Sequence, residues 1–199
     1  MEIGDTGTLL SVLVGIGLSA AAGLRLFVPL LVASAASLSG HLELASQFDW
    51  IGSYPALIAF AAASVLELGA YLVPLLDNAL DWLAAPVAAV AGTVLTASSI
   101  VEMSPFLKWT LAIVAGGGVA GTVHALTAVT RLGSTTTTGG LANPGVAAAE
   151  LTGSVGVSLL AIAAPVLAAA VVVLLIYLLL RVARKVRRGH ERLPRFLRR

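Results

Sequence analysis

From Thr8 to Leu180 the chain is a succession of apolar runs, each about as long as a bilayer is thick or longer. About 20 apolar residues in a helix cross a hydrocarbon core of about 30 Å, and a helix satisfies its own backbone N–H and C=O groups there. Five segments qualify: 8–38, 54–74, 80–100, 105–130 and 151–180. The first is too long for one straight span. Arg25 interrupts it near its middle, so a broken or re-entrant hairpin is the alternative to a single helix. The fold class predicted is all-α, a polytopic membrane helix bundle of about five spans with possible re-entrant elements. Composition agrees: 58% of residues are hydrophobic and 11% charged, against about 45–50% and about 25% in soluble domains. A soluble single-core enzyme is excluded, and so is intrinsic disorder, which needs few large apolar residues and high net charge.

The charges are unevenly placed. Residues 1–180 hold three basic groups, Arg25, Lys108 and Arg131, against nine acidic ones, whereas 181–199 hold nine basic groups against Glu191 alone. Lys and Arg collect on the cytoplasmic side of membrane spans, so this tail predicts a cytoplasmic C-terminus and, with five spans, an external N-terminus. Arg181, Arg184, Lys185, Arg187 and Arg188 stand directly after an apolar run. That position favours anionic lipid headgroups as their contact over nucleic acid. The acidic start MEIGDTG lacks the basic region of a signal peptide, so the first segment reads as a retained span. There are no cysteines, which removes disulfides, thiol catalysis and thiolate metal sites.

Polar groups inside apolar runs are the candidate functional residues. A charge in hydrocarbon costs about 2.5–3.5 kcal/mol on insertion scales, so it persists where it pairs, lines water or performs work. Arg25, in GLRLFVPL, keeps its proton and needs a carboxylate, carbonyl oxygens or an anionic ligand. Glu67, in SVLELGAYL, has the converse need, and the two are expected either to form a structural pair or to exchange partners during transport. Asp77 and Asp81 share one helical face, four residues apart. They can bind a cation, share a proton, or simply be solvated, with one capping a helix. His124 lies within a span without a second histidine three or four residues away, so no zinc site is expected. Glu150 begins the last run as a helix-start acid or a partner of Arg131. Asn143-Pro144 has the form of a half-helix start.

Arg131 to Gly145, RLGSTTTTGGLANPG, reads as a polar, turn-rich stretch. It is either an exposed loop or irregular backbone buried against protein or water. Residues 41–53, with Trp50, read as an interfacial loop. The order Arg25, Pro55, Glu67 is echoed by Arg131, Pro144, Glu150. An inverted repeat of that kind would place a substrate site between the halves.

On these residues the sequence resembles a bacterial family of small integral membrane proteins known mainly as a domain of unknown function. The resemblance covers most of residues 10–165. Its carriers are Gly23-Leu24-Arg25 with Pro29, Glu67-Leu68 with Pro74, Asp77 and Asp81, then His124-Ala125, Arg131, Thr138-Gly139-Gly140, Asn143-Pro144 and Glu150. Tyr71-Leu72 stand where the family pattern has Asp-Lys, and Thr127 where it has lysine. The resemblance implies that the listed polar residues form one constellation, and it implies no activity.

The expected function is a transporter or channel for an ion or small charged solute in a bacterial inner membrane. Arg25, Glu67, Asp77, Asp81, His124, Arg131, Asn143 and Glu150 are the pathway candidates. The alternative is a non-transporting scaffold whose basic tail holds lipid or a cytoplasmic partner. No enzyme is expected, since the chain lacks a Ser-His motif, a zinc ligand set and a cofactor fingerprint. A homo-oligomer is expected, because so small a chain rich in small residues leaves limited internal volume.

Overall fold

The computed structural model describes residues 6–70, 74–139 and 141–191, with side-chain surroundings for 6–69, 84–139 and 141–185. The elements are α1 (Thr6–Leu24), α2 (Phe27–Leu38), a 3-10 turn (Ser46–Gly52), α3 (Tyr54–Ala70), α4 (Pro74–Ser99), α5 (Pro105–Leu111), a π-helical turn (Ala112–Gly117), α6 (Gly118–Thr138), α7 (Asn143–Ala163) and α8 (Pro165–Glu191). Among the described residues, four helices are long and apolar enough to cross a membrane: Thr6–Leu24, Pro105–Thr138, Asn143–Ala163 and Pro165–Lys185. The 3-10 turn and α3, bent by 62° at their junction, make a fifth candidate span. The chain is therefore an all-α bundle with four to five candidate spans.

Prolines account for most of the breaks. The Pro29 ring would strike the carbonyl of Arg25 in a continuous helix, and the 8–38 run divides there into α1 and α2. Pro165 acts on the last run in the same way. Ala164 before it leaves the helical region (φ −149°, ψ 75°), as the residue preceding a proline tends to. The run expected as one helix over 151–180 is thus corrected to two, α7 and α8. Proline also opens α4, α5 and α8 and stands second in α3 and α7, where its missing N–H leaves no intrahelical bond unmade. The 131–145 stretch is a further correction, because helix α6 continues through it to Thr138. Its hydroxyls bond back along the helix, Thr137 Oγ1 to the Gly133 carbonyl at 2.8 Å and Thr138 Oγ1 to that of Ser134 at 2.8 Å. The helix stops only at Gly139, in the left-handed region (φ 62°), which glycine enters without a Cβ penalty.

Helix α1 is the axis of the bundle, packing on α2, α4, α6, α7 and α8. Its residues Gly17 to Leu24 are all buried. Lipid supplies no hydrophobic drive between helices, so cohesion depends on close van der Waals approach and interhelical hydrogen bonds. A Cβ at Gly17 would come within 2.6 Å of the Ala161 side chain on α7, and one at Gly23 within 2.5 Å of the Ala120 carbonyl on α6. Between α1 and α4, Ser19 Oγ donates to the Gly92 carbonyl at 2.7 Å and lies 2.8 Å from Thr96 Oγ1. The π-helical turn brings the backbone of Gly116 onto Gly92 and Thr96.

These contacts give the bundle two distinct ends. At one, the start of α1, the loop after α2, the end of α4 and the end of α7 surround a cavity of about 350 Å³ lined by Thr8, Ser11, His41, Glu43, Glu102 and Ile162, among others. At the other, the break after α1 meets the beginning of α7.

Candidate functional site

Arg25 occupies the break between α1 and α2 and is 1% exposed. Its own N–H completes the last turn of α1, bonding to the Ala21 carbonyl at 3.0 Å. The guanidinium reaches α7, where Nη2 donates to the Ala147 carbonyl at 3.0 Å and lies 3.8 Å from Glu150 Oε2. Glu150, 5% exposed, also receives Arg131 from α6. Arg131 Nε donates to Glu150 Oε1 at 2.9 Å, while Arg131 Nη2 bonds Glu150 Oε2. Such two-point contact fixes both planes and is stronger than a neutral hydrogen bond. One buried carboxylate thus ties together the break after α1, the long helix α6 and the first turns of α7.

Glu67 does something else. Leu26 N–H donates to its Oε1 at 2.9 Å and Phe27 N–H to its Oε2 at 3.1 Å. Leu26 is the N-cap of α2 and contributes no side-chain bond of its own. The carboxylate of α3 therefore caps α2, in the place where unsatisfied amides and the positive end of the helix dipole favour an anion. Of the two sequence readings, the structural Arg25–Glu67 pair is not among the described ion pairs. The break that releases Arg25 also exposes the two amides that hold Glu67, and Glu150 stands one turn before Ser154, whose Oγ donates to the Ala21 carbonyl at 3.0 Å. Arg25 and Glu67 flank the same break with different partners.

Asn143 begins α7, and its Nδ2 donates to Thr135 Oγ1 at 3.0 Å, closing the α6–α7 turn. His124 is half-buried on α6, and its backbone carbonyl accepts Thr127 Oγ1 at 2.8 Å. Asp77 and Asp81 lie on α4 outside the residues whose side chains are described, as do Arg187 and Arg188 on α8. Arg181, Arg184 and Lys185 are exposed on the last described turns of α8. Among the described residues, no three His, Asp or Glu side chains gather as a metal ion would require.

Sequence reasoning missed two groups. Lys108, on α5, is 7% exposed, and its place in an apolar run was the available signal. The second group is serine. Ser19, Ser34, Ser154 and Ser158 are fully buried, and the four-residue spacing of Glu150, Ser154 and Ser158 marked one face of α7.

A family described as a domain of unknown function (DUF4126) matches residues 12–185, and the chain belongs to it. No curated protein and no solved structure matches the chain.

Proposed function

We propose that this family member is a small membrane transporter or channel for an ion or small charged solute, working at the broken α1–α2 hairpin. One observation carries the reading: Arg25, Glu150 and Arg131 converge inside an apolar helical bundle, beside a helix break capped by Glu67. Apolar residues of similar volume are often as stabilising as a buried ion pair, or more so. Charges kept in such a place are best understood as having work to do. In this reading Glu150 is the clamped charge, and the arginines neutralise it. Glu67, held by backbone amides, is the acid free to exchange them for a moving cation or proton. The broken hairpin supports the reading, since discontinuous helices build the midplane sites of many transporters. The recurring order of Arg25, Pro55 and Glu67 in Arg131, Pro144 and Glu150 supports reading the two halves as an inverted repeat.

The membrane proposed is the bacterial inner membrane, with the basic end of α8 cytoplasmic and its arginines and lysine on anionic headgroups. A homo-oligomer is proposed as the working unit. The test is flux into sealed proteoliposomes across a panel of monovalent ions, phosphate and protons. Protein-dependent flux of at least one species, reduced in Glu67→Gln and Arg25→Ala, is the expected result. Flux of none of them would reject the reading for those species and favour a second one, a scaffold that holds lipid or a partner through α8. The exposed Arg181, Arg184 and Lys185 are the observation behind that alternative.

A further inference from the structure

The proposed charge movement makes no use of the cavity at the opposite end of the bundle. Its volume of about 350 Å³ lies at the lower end of the range of about 300–1,000 Å³ for small-molecule sites. Val14, Leu42 and Ile162 supply apolar wall, while Glu43 and Glu102 come from the loops after α2 and after α4. Both of these acids are exposed, which sets them at its open side. Among the described residues that line it there is no Lys or Arg. The basic end of α8 is remote. That helix leaves from Pro165, just beyond Ile162, and Arg181 stands about 24 Å along it by helical rise. The last carbonyls of a helix lack intrahelical partners and carry the negative end of its dipole. Two helices end at the cavity, α4 at Ser99 and α7 just after Ile162, against one, α1, that begins there.

The remaining polar groups fix which kind of cation fits. Ser11 and Ser99 line the cavity, and both hydroxyl protons are committed. Ser11 Oγ donates to the Thr8 carbonyl at 2.9 Å and Ser99 Oγ to that of Leu95 at 2.8 Å. A hydroxyl oxygen that has donated its proton keeps lone pairs with which to accept, and Ser99 is 2% exposed. His41 Nδ1, also of the lining, lies 3.0 Å from Ser39 Oγ. The lining thus offers acceptors and negative charge, and it suits a ligand that donates and is positive. A metal ion suits it poorly. A hard cation takes six or more oxygen ligands, and among the described residues no three His, Asp or Glu side chains gather as a metal site requires.

We infer that this cavity is a binding site for a primary ammonium compound with a compact apolar body. Its N–H groups donate to the Glu43 and Glu102 carboxylates in charge-assisted hydrogen bonds and to the serine oxygens. Its carbon skeleton displaces water from Val14, Leu42 and Ile162. The site is separate from the Arg25–Glu150–Arg131 cluster, and its occupancy does not depend on the transport reading.

The test is isothermal titration of the purified full chain in an uncharged maltoside detergent, with three probes of one skeleton. Benzylammonium has charge and N–H donors, benzyltrimethylammonium keeps the charge without the donors, and benzyl alcohol keeps a donor without the charge. Benzylammonium should bind about tenfold or more tightly than either of the others and should raise the unfolding temperature of the wild type. Glu43→Gln and Glu102→Gln should each weaken it about two- to fivefold, as for carboxylates in contact with water, with unchanged unfolding temperatures. Asp49→Asn, at an exposed acid of the 3-10 turn that does not line the cavity, should bind as wild type does. Ser11→Leu, which fills the cavity without altering its charge, should lose binding; where that variant fails to fold, the glutamate pair decides. Equal binding of benzylammonium and benzyltrimethylammonium would overturn the assignment. So would an Asp49→Asn effect equal to those of the glutamate variants, since the charge read would then be a diffuse acidic surface. No heat of binding with benzylammonium at millimolar concentration would overturn it as well. Flux is not read in any arm, so the transport reading stands or falls separately.

Discussion

Glu150 is the residue on which most of the buried charge turns. Removing one partner of a buried ion pair costs about 3–5 kcal/mol, because the other charge is left in a poor solvent. Glu150→Gln should therefore destabilise the protein by about that amount in detergent unfolding. Arg131→Lys should cost roughly 1.5–3 kcal/mol, since an ammonium cannot reproduce two parallel bonds to one carboxylate. Equal stability of Arg131→Lys and wild type would mean that the paired contact in the structure contributes little. That Arg25, Glu67, Arg131 and Glu150 are unusual was legible in sequence, because each interrupts an apolar run. Their pairing was not. Arg25 and Glu67 are close in the chain order of the spans, but α1 ends against α7, and only the three-dimensional packing decides that Arg25 turns to Ala147 and Glu150.

At the scale of the element, proline and glycine divide the work. Pro29 and Pro165 end helices by the same clash, yet only the first break was anticipated, because Arg25 marked it while Ala164 is apolar like its neighbours. By composition alone the threonine run 135–138 reads as part of a turn. Its hydroxyls instead bond to the helix's own carbonyls, so polarity did not imply irregular backbone. Glycines sort by what faces them. Gly116 lies against Thr96 and the Gly92 carbonyl, whereas a Cβ at Gly118, two residues on, would meet nothing within 4 Å. Gly116→Ala should thus cost about 1–3 kcal/mol by overpacking the α4 contact. Gly118→Ala should be neutral, or stabilising by up to about 1 kcal/mol through helix propensity. Parallel thermal unfolding of the two variants checks this, and equal effects would contradict the assignment of the π-helical turn to the α4 interface.

Among the described residues of the bundle, charged side chains gather toward two ends. One end holds the cavity with His41, Glu43 and Glu102; toward the other lie the Arg25–Glu150–Arg131 cluster and the Glu67 cap. Apolar run lengths made the bundle legible, but the cavity depends on four separate chain segments meeting and has no local signature. The exposed basic residues of α8 lie beyond its apolar stretch, which separates tail from core. Deleting residues 185–199 should weaken binding to anionic vesicles while leaving flux through the bundle intact; loss of flux alone would contradict that separation. The central claim, that the charges at the helix break serve ion movement, is tested most directly by Glu67→Gln. Its flux and unfolding temperature are measured beside wild type in the same proteoliposome preparation. The account predicts flux lost with the fold retained, because glutamine keeps one acceptor for the α2 amides but carries no exchangeable charge. Flux equal to wild type would contradict it and leave Glu67 as a helix cap alone.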